Sequence, residues 1–398
     1  MNILILTTLY PNNIQYRHGV FIENRTRELI KHYPNIKVKV LAPIPYFPSW
    51  LPMRGYESYS RIFTQEIRHT IEVTHPKYCV IPKIGMNITP YFLYQTCLKA
   101  IQVMQDSGFS IDVIDAHYFY PDGVVASWLG KKFNIPVMVT ARGSDINIIP
   151  NNKIAKRRII KALHEVQASA AVSQALADKM IKLAPKAKPP VVLRNGVDLD
   201  FFSSSAEKPE LPFLLNGSDK LILSVGNLVE LKGHHLVIEA LSLLDNAKLI
   251  IIGEGEEKNN LEKQVLELDL VDRVIFTGNL QQSELPGYYA IADVLVLASS
   301  REGMPNVLLE SLACGTPVLA TNVGGSPEVI SEVCAGQLIF KRNSESIKDG
   351  LLSLFARDNN SLQLTKFVRK LGWREIIHKQ YSVLNSIVDK HFDGVKCG

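Results

Sequence analysis

DVLVLASSREGMPNVLLESLACGTPVLAT (293–321) begins with an apolar run, breaks at a polar loop, turns into a helical pattern and ends on a second apolar run. A short, continuous apolar run bounded by turn signals reads as a strand buried on both faces. Between the two runs, Pro305 stands where a helix opens and Gly315 where it stops, so a helix is expected from Pro305 to Cys314. Strand, helix and strand in that order form the repeating unit of a parallel α/β sheet.

The same alternation extends outward. LILSVGN (221–227), KLIIIGE (248–254), RVIFTG (273–278) and GQLIF (336–340) add four strands, with helical patterns between them and Gly, Asn or Pro at most junctions. Six such units in sequence predict a doubly wound parallel sheet. The first half repeats the theme more loosely. ILILTT (3–8), KVKVLAP (37–43), VIDA (113–116), PVMVTA (136–141), SAAVS (169–173) and VVLRN (191–195) read as strands, and helical patterns fall at 19–32, 89–106, 121–133, 152–164 and 174–183. The Pro- and aromatic-rich segment 42–68 reads as a long excursion, of a length usually kept for function. The fold class is α/β: two Rossmann-like doubly wound parallel-sheet domains facing a cleft. Residues 1–200 form the first domain, 201–218 a Ser/Pro-rich linker, 219–372 the second domain, and 373–398 a helix crossing back to the first domain with a tail.

Composition narrows the function classes. At 46% hydrophobic and 21% charged, the chain has ample apolar content for two or three cores and is not disordered. No apolar run reaches the roughly 18 residues of a membrane helix. The start MNILILTTLYP lacks the basic region of a signal peptide and reads as a first strand. The five cysteines, at 79, 97, 314, 334 and 397, make no CxxC pair, which favours reduced cytoplasmic thiols over a disulfide framework or zinc site. Lys and Arg outnumber Asp and Glu 25 to 14 in residues 1–200 and are outnumbered 19 to 25 in the remainder. A basic first half suits an anionic substrate or an anionic membrane surface.

The second half carries three loops suited to phosphate, each at the carboxyl end of an expected strand. In SREGMPN the free N–H groups of the helix start can hold an anion. Glu302 beside them is an odd neighbour for phosphate unless it accepts sugar hydroxyls or pairs with a cation. Glu310, inside the helix, can accept hydrogen bonds from the vicinal hydroxyls of a ribose. TNVGGSPEV (321–329) brings Gly324 and Gly325 before a helix with Pro327 in its first turn. VGNLVELKGHH (225–235) places Lys232 before Gly233 and a helix start, where an ammonium can sit over a diphosphate. Taken singly, each is an ordinary surface residue or turn. Together they point to one phosphate-binding sheet edge.

These residues resemble the retaining glycosyltransferases of family 4, which have the GT-B fold. EGMPNVLLESLACGTPVLATNVGGSPEVI (302–330) carries the Glu-x7-Glu motif of that family. VGNLVELKGHHLVIEAL (225–241), IIGEGEEKNNLE (251–262), VIFTGNL (274–280) and the linker LRNGVDLDFF (193–202) are similar to its other segments. The resemblance is strong over 190–330 and looser before it. It implies a nucleoside diphosphate sugar as donor substrate, with UDP favoured over GDP, and no cofactor or metal. By the same resemblance Glu310 holds the ribose. Glu302 and the backbone of Gly303, Met304 and Pro305 contact the transferred sugar and its phosphate. Lys232 neutralises the diphosphate, and the backbone from Gly278 to Leu280 meets the base edge. Family members commonly carry Arg where this chain has Asn227, so a neutral hydrogen bond or another cation, Arg142 or Arg301, has to serve there. Asp198 and Asp200 form an Asp-x-Asp, but inside the linker motif, which makes them structural.

In the first half, Gly19 follows the first strand as the family's glycine loop does, without the GxGxxG of a nicotinamide fold. His117 falls just past a strand end in DAHYFYPDG (115–123), where the family has a His that touches the donor sugar. Arg142 stands where many relatives carry His. Asp145 can orient Arg142, bind acceptor hydroxyls or cap the loop. NNKIAKRRIIKAL (151–163) holds five basic residues and no acid, with Ile159, Ile160 and Leu163 supplying apolar surface. With PYFPSWLP (45–52) and PYFLYQTCL (90–98), it reads as a membrane-facing rim rather than a solvated face, and no RNA-binding motif supports nucleic acid. The expectation is a cytoplasmic enzyme, peripheral on the inner face of the membrane, that transfers sugar to a lipid-linked or oligosaccharide acceptor in surface polysaccharide or glycolipid synthesis. Glu302 is not expected to be a nucleophile. The alternatives are a catalytically silent sugar-nucleotide binding protein and a sugar-nucleotide epimerase of similar shape.

Overall fold

The apolar runs of both halves become strands with almost no exposed residue. KLILSV forms a strand, Lys220–Val225, in which every residue after the first is buried, and NILIL forms Asn2–Leu6 in the same way. A strand buried on both faces needs helices above and below it, and alternation supplies them. The computed structural model describes residues 1–46, 57–80, 85–211, 219–357 and 361–396. The chain divides into two units, Met1–Asn195 with Trp373–Gly398, and Gly196–Gly372.

Among the described residues of the first unit lie ten strands: β1 Asn2–Leu6, β2 Lys37–Leu41, β3 Ile44–Tyr46, β4 Gln65–Arg68, β5 Ile71–Thr74, β6 Lys77–Cys79, β7 Val113–His117, β8 Val137–Ala141, β9 Ala168–Ala171 and β10 Val191–Val192. Eight of them form one sheet in the order β10-β9-β8-β7-β1-β2-β5-β4, while β3 and β6 pair separately. All pairs in the large sheet are parallel except β4 with β5 at one edge. Of these strands, β3 and β4 fall within the segment 42–68 read as an excursion, and β5 and β6 follow it. The turn residues of the β4–β5 hairpin, His69 and Thr70, both have positive φ, 47° and 70°. Such a turn is normally announced by Asn-Gly or Asp-Gly, and here that signal is missing. Residues 47–56, and most of the aromatic stretch PYFPSWLP with them, lie outside the described residues.

The second unit holds β11 Lys220–Val225, β12 Ala247–Ile252, β13 Val274–Gly278, β14 Val294–Leu297, β15 Val318–Thr321 and β16 Gly336–Ile339. Their order is β13-β12-β11-β14-β15-β16, all parallel. The winding reverses between β11 and β14. In the first unit it reverses between β7 and β1. Loops leaving neighbouring strands at such a point run apart and leave a crevice beyond the carboxyl ends.

The last helix, Trp373–Lys396, follows the second unit in sequence but belongs to the first. Trp373, Ile377, Leu384 and Ile387 enter one core with Ile3, Ile5, Ile22 and Leu29. Their spacing puts them on one helical face, which is why the chain returns. No helix among the described residues is long and apolar enough to cross a membrane.

Candidate active site

The reversal between β11 and β14 selects the loops to inspect in the second unit. After β11 the chain runs through Gly226 and Asn227 into a short turn, Glu230–Lys232, and then into the helix His234–Ser242. After β14 it runs through Ser299 and Glu302 into the helix Asn306–Ala313, with Pro305 at the N-cap. The two loops meet at an ion pair. Lys232 Nζ donates to Glu302 Oε1 at 2.6 Å, and Ser299 Oγ donates to the same oxygen at 2.7 Å. Glu302 Oε2 has no partner among the described residues, so one oxygen holds the loop and the other is free to accept.

Backbone contacts bring these loops together. Gly233 has φ 72°, and a Cβ there would lie 2.2 Å from the Ala298 carbonyl oxygen. Only glycine allows both the left-handed backbone and that approach. Gly324 has φ 54°, and its Cβ would lie 2.1 Å from the Glu302 carbonyl. Gly325 N–H donates to the Gly303 carbonyl at 2.9 Å. The Gly-Gly loop after β15 therefore clamps the Glu302 loop from its other side. Arg342, which sequence reasoning missed, ties both strands' ends: its Nε donates to Ala298 O at 2.8 Å and an Nη to Glu230 O at 2.9 Å.

The other expected site residues of the second unit lie at or after the ends of β11, β13 and β14 and in the helix Asn306–Ala313. The N–H groups of Gly303 and Met304 have no partner among the described residues, and Pro305 has no N–H to offer. Met304 and Pro305 are buried and Asn227 is exposed at its turn. Arg301 is exposed beside Glu302. Glu310 sits a turn into the helix and accepts from Tyr289 Oη at 2.8 Å, through Oε2 alone. Burial pushes its carboxyl up to about 7 against the opposing Tyr289 hydrogen bond. Gly278 ends β13, its carbonyl accepting from Gly253 N–H at 2.9 Å, and Leu280 follows half-buried. In the linker, Asp198 Oδ1 accepts from the N–H groups of Asp200 and Phe201, each at 3.1 Å, so it closes a turn. Among the described residues no group of three His, Cys, Asp or Glu side chains is placed to hold a metal ion.

The first unit has its own cluster at the reversal between β1 and β7. Gly19 precedes the helix Val20–His32 and packs on the Leu9 and Tyr10 backbone. His117, the last residue of β7, is wholly buried. Its Nδ1 lies 2.9 Å from an Arg142 Nη, and another Arg142 nitrogen donates to Asn195 Oδ1 at 3.1 Å. Burial, then the charges of Arg142 and Arg25, hold the imidazole well below its ordinary pKa. Asp145 accepts from the N–H groups of Phe119, Arg142 and Gly143, so of its three possible roles the loop cap is the one it fills. Asp122, also missed, accepts from Thr8 N–H at 2.7 Å and binds the β1 loop to the turn after β7. Burial raises it to about 7.

The basic segment forms the helix Lys153–Glu165. Ile159 and Leu163 are buried in the core, which corrects their reading as apolar surface. Together with Ala155 and Ala162 they occupy one face at helical spacing. The exposed side keeps Lys153, Ile154, Lys156, Arg157 and Lys161.

Comparison with known proteins follows the same two units. The Glycosyltransferase Family 4 profile matches residues 22–201, and Glycosyl transferases group 1 matches 209–371. A Bacillus subtilis protein named for teichuronic acid biosynthesis, the glycosyltransferase TuaC, is 30% identical over 82% of this chain and 82% of its own. Among solved structures, the sucrose-phosphate synthase of Thermosynechococcus elongatus superposes with a TM-score of 0.76 at 17% identity, over 98% of this chain and 99% of that one. Anabaena Alr3699/HepE in complex with UDP gives 0.72 at 18% identity, over 97% and 100%.

Glu310 yields a stability prediction. In the unfolded chain it ionises near its ordinary value, while in the folded chain it keeps its proton to about 7. Its contribution to stability is thus largest at low pH and falls as pH rises through about 7. Glu310→Gln keeps an acceptor for Tyr289 and never ionises. Relative to wild type, it should gain of order 1 kcal/mol between pH 5 and pH 8, read from urea midpoints. A variant that instead loses ground at pH 8 contradicts the buried, half-neutral carboxyl.

Proposed function

This chain belongs to the family 4 glycosyltransferases, and we propose that it transfers a sugar from a nucleoside diphosphate donor, UDP by preference, to a lipid-linked or saccharide acceptor in surface polysaccharide or glycolipid synthesis. The observation that carries this reading is the meeting of Lys232 and Glu302 at the sheet reversal of the second unit, 2.6 Å apart, beside a helix start whose Gly303 and Met304 N–H groups have no partner among the described residues. That arrangement offers a cation, donated amides and a positive helix end where two phosphates would lie. Glu310, with one oxygen uncommitted, suits the ribose hydroxyls. UDP in the Anabaena neighbour and the name of the Bacillus relative support the choices of base and product.

In this reading the bond from the sugar C1 to the diphosphate oxygen breaks first. Lys232, the helix end and the Gly303 and Met304 amides take up the charge on the departing phosphate, the role a metal plays elsewhere. The acceptor hydroxyl approaches from the same face, its oxygen bonds to C1, and its proton passes to the departing phosphate oxygen. Configuration is retained without a covalent enzyme intermediate. Glu302 already holds Lys232 and Ser299 through one oxygen, and the other is suited to a sugar hydroxyl. Its work is to bind and orient, unlike the nucleophilic carboxylate of a retaining glycosidase. His117, neutral in its buried place, is suited to donate to a sugar hydroxyl rather than to shuttle a proton. Arg142 spends two of its nitrogens on His117 and Asn195, so the exposed Arg301 is the better substitute for a cation at Asn227.

Glu302→Gln should keep much of the transfer activity, because the amide oxygen still accepts from Lys232 and Ser299. Glu302→Ala should lose about 100-fold or more, because Lys232 is then unanchored. Turnover abolished in the Gln variant with donor binding intact would point to a charged or nucleophilic carboxylate. Product analysis that finds isomerised donor instead of glycosylated acceptor would point to the epimerase.

We place the acceptor at an anionic membrane surface, reached from the cytoplasmic side. The supporting surface in the first unit combines the exposed basic residues of Lys153–Glu165 with Tyr91, more than half exposed, whose ring lies 4.9 Å from the Arg158 guanidinium. The protein should sediment with anionic phospholipid vesicles at low salt and be released at high salt. Failure to sediment at low salt removes the membrane from the proposal and leaves a soluble saccharide acceptor.

A further inference from the structure

The polar chain behind His117 ends on the returning C-terminal helix. Gln380, only 1% exposed, donates from Nε2 to Asp115 Oδ2 at 2.7 Å. Its Oε1 faces an Arg25 Nη at 3.4 Å, which fixes which end of the amide is which. Asp115 lies two residues before His117 on β7, so the two side chains leave the same face of the strand. Asp115 Oδ2 is 3.9 Å from His117 Nε2, too far for a hydrogen bond. On the other side of the ring, Nδ1 faces an Arg142 Nη at 2.9 Å. A guanidinium can only donate, so Nδ1 accepts and the ring proton resides on Nε2. That Nε2–H is buried and has no partner among the described residues, and neither has Asp115 Oδ1.

We propose that Gln380 is a positioning residue: by holding Asp115 it keeps that carboxylate from pairing with His117, and so leaves the imidazole neutral with its Nε2–H available to a hydroxyl of the bound sugar. The groups around the pair come from four elements. Asp115 is on the same strand as His117, Arg142 follows β8, Arg25 lies on the helix Val20–His32, and Gln380 lies on Trp373–Lys396. Among the described residues only Gln380 donates to Asp115, and the two arginines act on it through charge alone. Arg142 hydrogen-bonds His117 and Asn195 and keeps its Nε unpartnered among the described residues. Arg25 donates to the Leu193 carbonyl at 3.0 Å and makes no ion pair with Asp115 among the described residues, its Nε being unpartnered there too. Without the Gln380 amide, Asp115 is left with the unpartnered His117 Nε2–H 3.9 Å from its Oδ2. An Asp–His pair would then form, the ring would take a second proton more readily, and Nε2–H would be lost to the sugar. The consequence for catalysis rests on the proposed sugar transfer, whereas the consequence for the imidazole does not.

The test compares Gln380→Met, which keeps the volume and removes the donor, with Ile377→Val. The second variant loosens the same buried helix face without touching the polar chain. Nitrogen-15 NMR of the histidines in the full chain reads the tautomer and the titration of His117 directly. In wild type and Ile377→Val, His117 should stay neutral with the proton on Nε2 from about pH 5.5 to 8. In Gln380→Met it should titrate within that range. Transfer should then lose about tenfold in kcat, with donor KM changed less than about threefold, and the pH–rate curve should gain an acid limb. A His117 that does not titrate in Gln380→Met overturns the assignment whatever the activity, as does the same change in Ile377→Val. If the wild-type chain transfers no sugar while His117 behaves as stated, the catalytic reading fails and the positional one stands.

Discussion

One ion pair organises the second unit. Lys232 and Glu302 lie 70 residues apart in sequence and 2.6 Å apart in space, because β11 and β14 are neighbours at the point where the sheet reverses direction. The pair is only partly exposed, and Ser299 satisfies the same carboxylate oxygen. A cation so placed needs its carboxylate, since an unpaired charge in a half-buried crevice is costly. The carboxylate in turn fixes where the ammonium stands when an anion arrives. Gly233, Gly324 and Arg342 have their places because they let, or make, these loops approach.

The first unit shows a different economy of charge. Arg25, Arg142 and Asp115 surround the wholly buried His117, and Asp145 caps the loop that carries Arg142. Asp145 is satisfied by three backbone N–H groups, and Asp115 by Gln380. The result is an imidazole that remains neutral in a dense field, suited to giving a hydrogen bond and ill suited to taking a proton. The returning helix thus does more than cover the core with Trp373 and Ile377, since it carries the amide that completes the polar network.

Much of this was legible in the chain itself. Buried parallel strands leave continuous apolar runs, so β11 to β16 could be placed within a few residues, and helix starts announced by Pro305 and Gly233 located the loops between them. The motif from Glu302 to Glu310 gave the site its chemistry, and the family likeness its name. What the chain did not disclose was pairing at long range. Nothing near Gln380 says that it meets Asp115, 265 residues earlier. Nothing in ENRT (23–26) marks Arg25 as one of the largest fully buried side chains. The hairpin of β4 and β5 was hidden because His69 and Thr70 adopt a turn that glycine and asparagine usually signal. Ile159 and Leu163 looked available to a membrane because their helical face had not yet been set against the core.

The central claim is that the loops around Lys232 and Glu302 bind a sugar-bearing diphosphate unaided by a divalent ion. Thermal unfolding of the full chain across UDP-, GDP- and ADP-sugars, with chelator present, measures this directly, because a ligand of the folded state alone raises the melting temperature. The melting temperature should rise with a UDP-sugar, and the rise should persist in chelator and largely disappear in Lys232→Ala. No shift with any nucleotide sugar, a shift that appears only with added divalent metal, or one that survives in Lys232→Ala would contradict the claim.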